Sequence, residues 1–138
     1  MGQRNVVVAI SGASGSIYGI RSLQLLRQLE DVKTHLVITP SAKSTISVET
    51  EFSVSEIEEL ADEVHSARDI GASIASGSFK TAGMIVAPCS IKTLSAIANS
   101  FGADLVSRAA DVTLKERRPL VLMAVSYTHL TLPTKRIV

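Results

Sequence analysis

The amino-acid sequence predicts an α/β domain in which a parallel β-sheet is covered by helices on both faces. Short runs of β-branched residues alternate along the chain with segments whose apolar residues recur at helical spacing. Strands separated by helices in this way form βαβ crossovers, which require a parallel sheet with both faces covered. The length of 138 residues and the 46% hydrophobic content suit one such domain with a sizeable core.

The first half of the chain contains two predicted strands and three predicted helices. The β-branched run Asn5–Ile10 is typical of a buried strand, and Ser16–Leu29 carries apolar residues along one side of a helix. Thr34–Thr39 predicts the second strand. Further helices are predicted over Ser41–Glu49 and over Ser55–Arg68, which has acidic residues in its first turn.

The second half adds two strands and two helices. Met84–Ala87 predicts a strand that Pro88 closes, and Pro119–Met123 predicts the fourth strand. The intervening helices are predicted over Ser90–Ser100, with a hydroxyl at the N-cap, and over Asp104–Glu116.

The stretch after Ala124 shows no clear helical period and no capped element. We therefore predict a domain at residues 1–124 that is incomplete at its C-terminus. The tail at 125–138 is predicted to be non-native or unstructured, and it is kept out of the fold prediction.

The composition excludes several classes of protein. Fourteen Lys and Arg residues against thirteen Asp and Glu residues give no electrostatic reason to bind nucleic acid or an anionic membrane surface. No apolar run reaches the roughly 18 residues of a membrane span. The single cysteine, Cys89, excludes an intramolecular disulfide and fits a reducing compartment, so we predict a soluble, cytoplasmic protein. The three histidines show no metal-ligand spacing, so no metal site is predicted.

The loop after the first strand is a candidate ligand site, because open parallel sheets bind ligands at the carboxyl ends of their strands. Glycines in Ser11–Ser16 let the backbone approach a ligand closely, and the following helix offers free N–H groups to an anion. The same residues could simply form a tight strand-to-helix turn. The loop lacks both G-x-x-x-x-G-K-[ST] and G-x-G-x-x-G, which disfavours a nucleotide triphosphatase and an NAD enzyme.

The loop after the third predicted strand, Pro88–Thr93, is a second candidate. Its hydroxyls could satisfy their own helix N-terminus, or they could hold a phosphate or a flavin edge together with Lys92. Cys89 is interpreted as a packed thiol rather than a nucleophile, because no histidine partner is fixed by spacing. In the last predicted helix, Arg108 and Lys115 share one face with Asp111, which could stabilise the helix end or attract an anionic substrate.

Taken together, five segments of the chain resemble the UbiX/Pad family of flavin prenyltransferases. The matching segments are VAISGASGSIYGIR (Val8–Arg21), SVETEF around Glu49, SGSF (Ser76–Phe79), PCSIKTLSAIA (Pro88–Ala98) and RAADVTLKERRPLVL (Arg108–Leu122). The last is the most specific. The resemblance implies an enzyme with a flavodoxin-like Rossmann fold, a three-layer αβα arrangement, and no metal.

The same resemblance implies the chemistry and its partners. Reduced FMN is the cofactor and dimethylallyl phosphate the co-substrate. The dimethylallyl group is transferred to N5 and C6 of the flavin. The product, prenylated FMN, would serve a UbiD-type decarboxylase in ubiquinone biosynthesis or aromatic-acid decarboxylation. The family also implies a homo-oligomer, a dodecamer, with sites shared between subunits.

The resemblance also assigns roles to individual residues. Glu49 would be the acid–base residue, Ser14 would belong to both the catalytic and the flavin-binding set, and Arg108 and Lys115 would hold the substrate phosphate. The implied FMN contacts are Gly12, Ala13, Ser14, Thr39, Ser90, Ile91, Lys92 and Thr93.

Two alternatives to an active prenyltransferase remain open from the sequence. Related flavin-dependent decarboxylases carry P-A-S-A-N-T where this chain has PCSIKT, and Lys92 replaces their substrate-binding Asn, which favours the prenyltransferase. The other alternative is a non-catalytic FMN-binding fragment. It is favoured by the absence of the family's C-terminal third. Val125 also stands where the family has a phosphate-binding Arg, so activity of this chain is predicted to be impaired.

Overall fold

The computed structural model describes residues 2–125, which form one five-stranded parallel sheet between two layers of helices. The strands are β1 (Arg4–Ile10), β2 (Val32–Ile38), β3 (Glu63–Ser66), β4 (Gly83–Cys89) and β5 (Leu120–Ala124). Their order in the sheet is β3-β2-β1-β4-β5, and every neighbouring pair is parallel. This doubly wound order reverses direction between β1 and β4. The predicted flavodoxin-like Rossmann fold is confirmed.

Five α-helices connect the strands. They are α1 (Ser16–Arg27), α2 (Pro40–Glu49), α3 (Val54–Glu58), α4 (Ile91–Ala98) and α5 (Leu105–Lys115), with a 3₁₀ turn at Ser73–Ala75. Among the described residues, no helix is long and apolar enough to cross a membrane.

The alternation of side chains along the strands divides the core into two layers. On β1, Val8 and Ile10 point to the face covered by α1, α2 and α3, where they join Ile20 and Ile46. Val7 and Ala9 point to the opposite face. There they pack with residues of α4, α5 and the 3₁₀ turn. Because both faces are buried, the middle of β1 and the middle of β4 are continuously apolar rather than alternating.

The predicted helix over Ser55–Arg68 is wrong, because the chain forms the short helix α3 and then the strand β3. Ser53 starts α3 with a capping box to Glu56, so the helix signal at the beginning of this segment was correct. The later part of the segment pairs with β2 instead, with Val64 opposite Leu36. A four-residue edge strand has too short a pattern to be recognised, and sheet pairing overrides local propensity.

Candidate flavin site at the switch point of the sheet

The loops that follow β1 and β4 are joined by one buried hydroxyl, that of Ser11. Its Oγ donates to the carbonyl oxygen of Pro88 at 2.7 Å and accepts from the amide of Ser90 at 2.8 Å. The Ser11 side chain is almost fully buried. These bonds hold the two loops together at the point where the strand order reverses, which is where doubly wound sheets bind ligands. Ser11 was not among the predicted site residues; its position directly after a buried strand was the available signal.

A cavity of about 710 Å³ opens beside these loops. Its lining comes from the starts of α2, α4 and α5 and from the loop before α5: Thr39, Pro40, Ser41, Ser90, Lys92, Thr93, Ser95, Ala96, Asn99, Phe101, Ala103, Asp104 and Ser107. Volumes of this size are typical of small-molecule sites. The structure thus brings four of the predicted FMN contacts, Thr39, Ser90, Lys92 and Thr93, to one cavity.

Two of these hydroxyls act as helix caps. Thr39 Oγ1 accepts from the amide of Ala42 at 3.2 Å, and Ser90 Oγ accepts from the amide of Thr93 at 3.2 Å. Ser90 Oγ also donates to Thr93 Oγ1 at 3.0 Å. The capping interpretation is therefore correct, but it does not compete with ligand binding. Capping fixes the N-termini of α2 and α4 at the cavity wall, and their positive ends attract an anion there.

The glycine-rich loop forms a second group beside the start of α1. The Cβ of a residue larger than glycine at position 12 would collide with Ser41, so Gly12 is pressed against the start of α2 and next to the cavity. Gly15 has φ of 107°, in the left-handed region that favours glycine. Ala13 and Ser14 lie between these two glycines and do not line the cavity.

Glu49, at the end of α2, is bound to the N-terminus of α1. Its Oε1 accepts from the amides of Gly15 at 3.1 Å and Ser16 at 3.2 Å. Desolvation raises the pKa of Glu49, but hydrogen bonding by the Ser16 and Gly15 amides, together with the Ser14 and Ser16 hydroxyls, outweighs it, and the net pKa lies below its ordinary value. The carboxylate is therefore charged at neutral pH and favours the positive end of α1.

The other predicted site residues lie outside this cavity in the single chain. Arg108 is exposed, and its Nε donates to the carbonyl of Gly102 at 3.0 Å. Lys115 lies seven residues further along α5, about 10 Å along the helix axis. It is at the end of α5 away from the cavity-lining Asp104. Ile91, the first residue of α4, is exposed and also lies outside the lining.

Cys89 is fully buried, and burial raises the pKa of its thiol to about 11. A thiol with that pKa is protonated at neutral pH and is a poor nucleophile. The interpretation of Cys89 as a packing residue agrees with this environment.

The fold and the cavity define a doubly wound α/β protein with a ligand-sized cavity at its switch point. The family model described as Flavoprotein matches residues 1–134. The chain belongs to this flavoprotein family.

Curated relatives with high sequence identity carry one description. The chain is 60% identical over 119 residues to the flavin prenyltransferase UbiX of Escherichia coli strain K12, and 63% identical over 118 residues to that of Thauera aromatica. Each alignment covers 86% of this chain, and it covers 63% and 60%, respectively, of the relative. The chain therefore spans less than two thirds of the length of these relatives.

Solved structures agree with the family. AnUbiX (PadA1), crystallised with FMN and dimethylallyl pyrophosphate, superposes with a TM-score of 0.89 at 51% identity, over 94% of this chain and 68% of the other. A dodecameric FMN-dependent UbiX-like decarboxylase from E. coli O157:H7 has a TM-score of 0.89 at 46% identity, over 92% and 69%. The FMN-dependent cysteine decarboxylase TvaF shares the fold, with a TM-score of 0.70 at 20% identity, over 98% and 82%.

Proposed function

We propose that this chain is a flavin prenyltransferase that uses reduced FMN and dimethylallyl phosphate to make prenylated FMN. The observation that carries the proposal is the cavity at the switch point, whose wall combines two capped helix N-termini with Lys92. Relatives described as flavin prenyltransferases, and a similar structure that holds FMN and dimethylallyl pyrophosphate, support the same assignment.

The residues present suit FMN. Hydroxyls of Thr39, Ser41 and Thr93, with the amide ends of α2 and α4, offer donors to a phosphate. Pro40, Ala96 and Phe101 give the same cavity an apolar part that suits a flat ring. When bound, reduced FMN supplies the nucleophilic N5 and C6 positions. The glycine-rich loop after β1 contains Gly12, Ala13 and Ser14 and adjoins the cavity. This loop is proposed to contact the phosphate end of the ligand.

Glu49 is proposed as the acid–base residue. Its lowered pKa means that it starts in the charged form, which can accept a proton. The amides of Gly15 and Ser16 orient the carboxylate at the start of α1, beside Ser14. Ring closure on the flavin releases a proton, so a fixed carboxylate next to the glycine-rich loop suits that step.

Arg108 and Lys115 are proposed to hold the phosphate of dimethylallyl phosphate in an assembled homo-oligomer. Both are exposed cations on one face of α5, and Lys115 lies at the end of the helix away from the cavity of its own chain. A leaving phosphate requires fixed cations, so a neighbouring copy is the natural recipient of Lys115. The dodecameric relative supports such an assembly. We further propose that a UbiD-type decarboxylase receives the product. The lone cysteine suggests the cytoplasm as the location of the protein.

The experiment that tests this function is an anaerobic incubation of the purified chain with reduced FMN and dimethylallyl phosphate, followed by mass analysis of the flavin. A flavin heavier by one dimethylallyl group supports the proposal. A parallel chimera replaces residues 125–138 with the corresponding C-terminal part of the E. coli relative. Product from the chimera alone assigns the chemistry to the cavity but not to this chain by itself. FMN binding without product from either protein favours a non-catalytic flavin-binding role.

A flavin-dependent decarboxylase is the second candidate. Lys92 lines the cavity at the position where the decarboxylase motif has an Asn amide. An ammonium group binds a phosphate as a point charge but cannot offer the paired donor and acceptor of an amide. The cavity chemistry therefore favours the prenyltransferase.

A further inference from the structure

A cluster of three potential metal ligands lies on β2 and β3, apart from the flavin cavity. His35 on β2 pairs directly with Glu63 on β3, and His65 follows two residues later on the same face of β3. One donor atom from each residue lies within 4.8 Å of the other two. Nδ1 of His35 and Nε2 of His65 are 3.0 Å apart.

The surroundings of His35 resemble those of a metal-ligating histidine. Nε2 of His35 lies 3.0 Å from Oδ1 of Asn5, so the ring donates its Nε2–H to the amide oxygen. The Nδ1 lone pair then faces His65. Ligating histidines usually donate their second ring N–H to such an acceptor, which fixes the tautomer and the ring orientation. His35 is 1% exposed, so its surroundings hold the ring in this orientation.

We propose that His35, Glu63 and His65 bind a divalent transition-metal ion of the Zn²⁺ type, which ties the edge strand β3 to β2. Two imidazoles and one carboxylate form a typical zinc donor set, with a water molecule as the fourth ligand. The inference does not depend on the proposed function, because none of the three residues lines the flavin cavity.

Zinc binding requires a rearrangement within the cluster. Nδ1 of His35 and Nε2 of His65 are joined by a hydrogen bond between rings only 10° from parallel, and since Nδ1 of His35 accepts, Nε2 of His65 carries the hydrogen. The ion replaces that hydrogen, so His65 adopts the other tautomer. Both rings turn until their lone pairs converge, with the nitrogens about 3.3 Å apart for Zn–N bonds of about 2.05 Å. Glu63 must turn from Lys33, whose Nζ is 2.7 Å from its carboxylate. The two side chains are 38% and 44% exposed, so water screens this pair in part and its loss costs less than that of a buried pair.

One side of the cluster lies beside open space. His65 borders a second cavity of about 530 Å³ at the carboxyl ends of β2 and β3, whereas His35 and Glu63 do not line it. Glu58 lines this cavity and favours a cation, whereas Lys43 and Arg68 oppose one. The two cations outnumber the one carboxylate, so the charge balance predicts weaker binding than in a structural zinc finger.

The test is a titration of the chelator-treated, flavin-free chain with ZnCl₂ by calorimetry, with thermal unfolding recorded with and without zinc. Co²⁺ serves as a spectroscopic probe, because tetrahedral Co²⁺ absorbs strongly in the visible range. We expect one zinc per chain and a midpoint raised by a few degrees, since a ligand that binds only the folded state stabilises it. His65→Ala and Glu63→Gln should each weaken zinc binding at least tenfold.

His129→Ala is the matched control, because His129 is the third histidine of the chain and lies outside the described residues. It should bind zinc as the parent does. Should His65→Ala fail to fold, as judged by circular dichroism, the comparison rests on Glu63→Gln, whose side chain is only half-buried. Absence of zinc binding at 100 µM overturns the proposal. Equal binding by Glu63→Gln and the parent, or loss of binding in His129→Ala, also overturns it.

Discussion

Replacing Ser11 with alanine removes the hydroxyl that joins the β1 and β4 loops. The amide of Ser90 then loses the Ser11 oxygen that it reaches at 2.8 Å. The carbonyl of Pro88 loses the 2.7 Å bond from the hydroxyl but keeps a longer one, at 3.2 Å, from the Ser11 amide. One donor is therefore left without its partner, and one acceptor is only weakened.

The size of the effect follows from that inventory. A buried polar group left unsatisfied costs about 1–3 kcal/mol, so we expect Ser11→Ala to lower the free energy of unfolding by about 2 kcal/mol. A small domain has about 5–15 kcal/mol of stability, so the variant should still fold. Without the Ser11 hydroxyl, the loop after β4 that contains Ser90 can shift and displace the cavity wall. A loss of about 1.4 kcal/mol in the free energy of FMN binding corresponds to an affinity about tenfold lower.

Urea unfolding measures the stability loss, and quenching of FMN fluorescence measures affinity. Ser22→Ala is the matched control, because the Ser22 hydroxyl bonds only locally, to the Tyr18 carbonyl within α1. It should change either quantity little. A stability loss below about 0.5 kcal/mol in Ser11→Ala, equal to that of the control, would refute the view that this hydroxyl holds the two loops together.

Two further predictions concern the glycine-rich loop. Glu49→Gln should leave FMN quenching intact while stalling prenylated-FMN formation, because an amide cannot accept the proton; normal product yield would remove Glu49 from the mechanism. Because hydrogen bonds lower the pKa of Glu49 in the folded state, its small stabilising effect is present above its ordinary pKa and is lost as the pH falls through the lowered value. Unfolding midpoints of the parent and Glu49→Gln should therefore differ at pH 7 and converge in acid. Gly12→Ala should weaken FMN binding and lower stability, because the new Cβ collides with Ser41. Gly71→Ala is the control and should have little effect, because its Cβ meets only an Asp69 oxygen at 3.7 Å. Equal FMN affinity and stability of the two variants would contradict the close approach of Gly12 to Ser41.

The central part of the fold was predictable because burial on both faces leaves a strong signal. Val7 to Ile10 is a continuous apolar run, and so is the middle of β4, so both strands were found. β3 was missed because only four residues pair at the edge of the sheet, with exposed Val64 between two polar inward residues. Four residues are too few to show the alternation typical of a strand, so the segment becomes a strand only through its pairing with β2.

The site was predictable where local motifs define it and not where distant residues meet. Ser90 and Thr93 stand three residues apart, and their hydroxyl bond can be anticipated from the N-cap rule. The link from Ser11 to Ser90 spans 79 residues, and that from His35 to His65 spans 30. Such pairs depend on strand order and register, which the sequence alone left undetermined. Arg108 and Lys115 were correctly predicted to lie on one face of the same helix. They lie at different positions along its axis, however, and Lys115 is at the end away from the cavity.

The strand order also has a consequence for how the ligand site forms during folding. β1, α1 and β2 are consecutive, and the seven-residue register of β1 with β2 joins segments about 30 residues apart. The register of β1 with β4 has only four residue pairs and closes a loop of more than 70 residues. Because long loops cost more entropy to close, β4 is expected to dock after the first βαβ unit has formed. A partly folded chain would then contain the glycine-rich loop but not the part of the cavity wall that Ser90 forms. Flavin would therefore bind only the fully assembled sheet. Its binding would slow the opening of β4, which hydrogen exchange of the β4 amides measures.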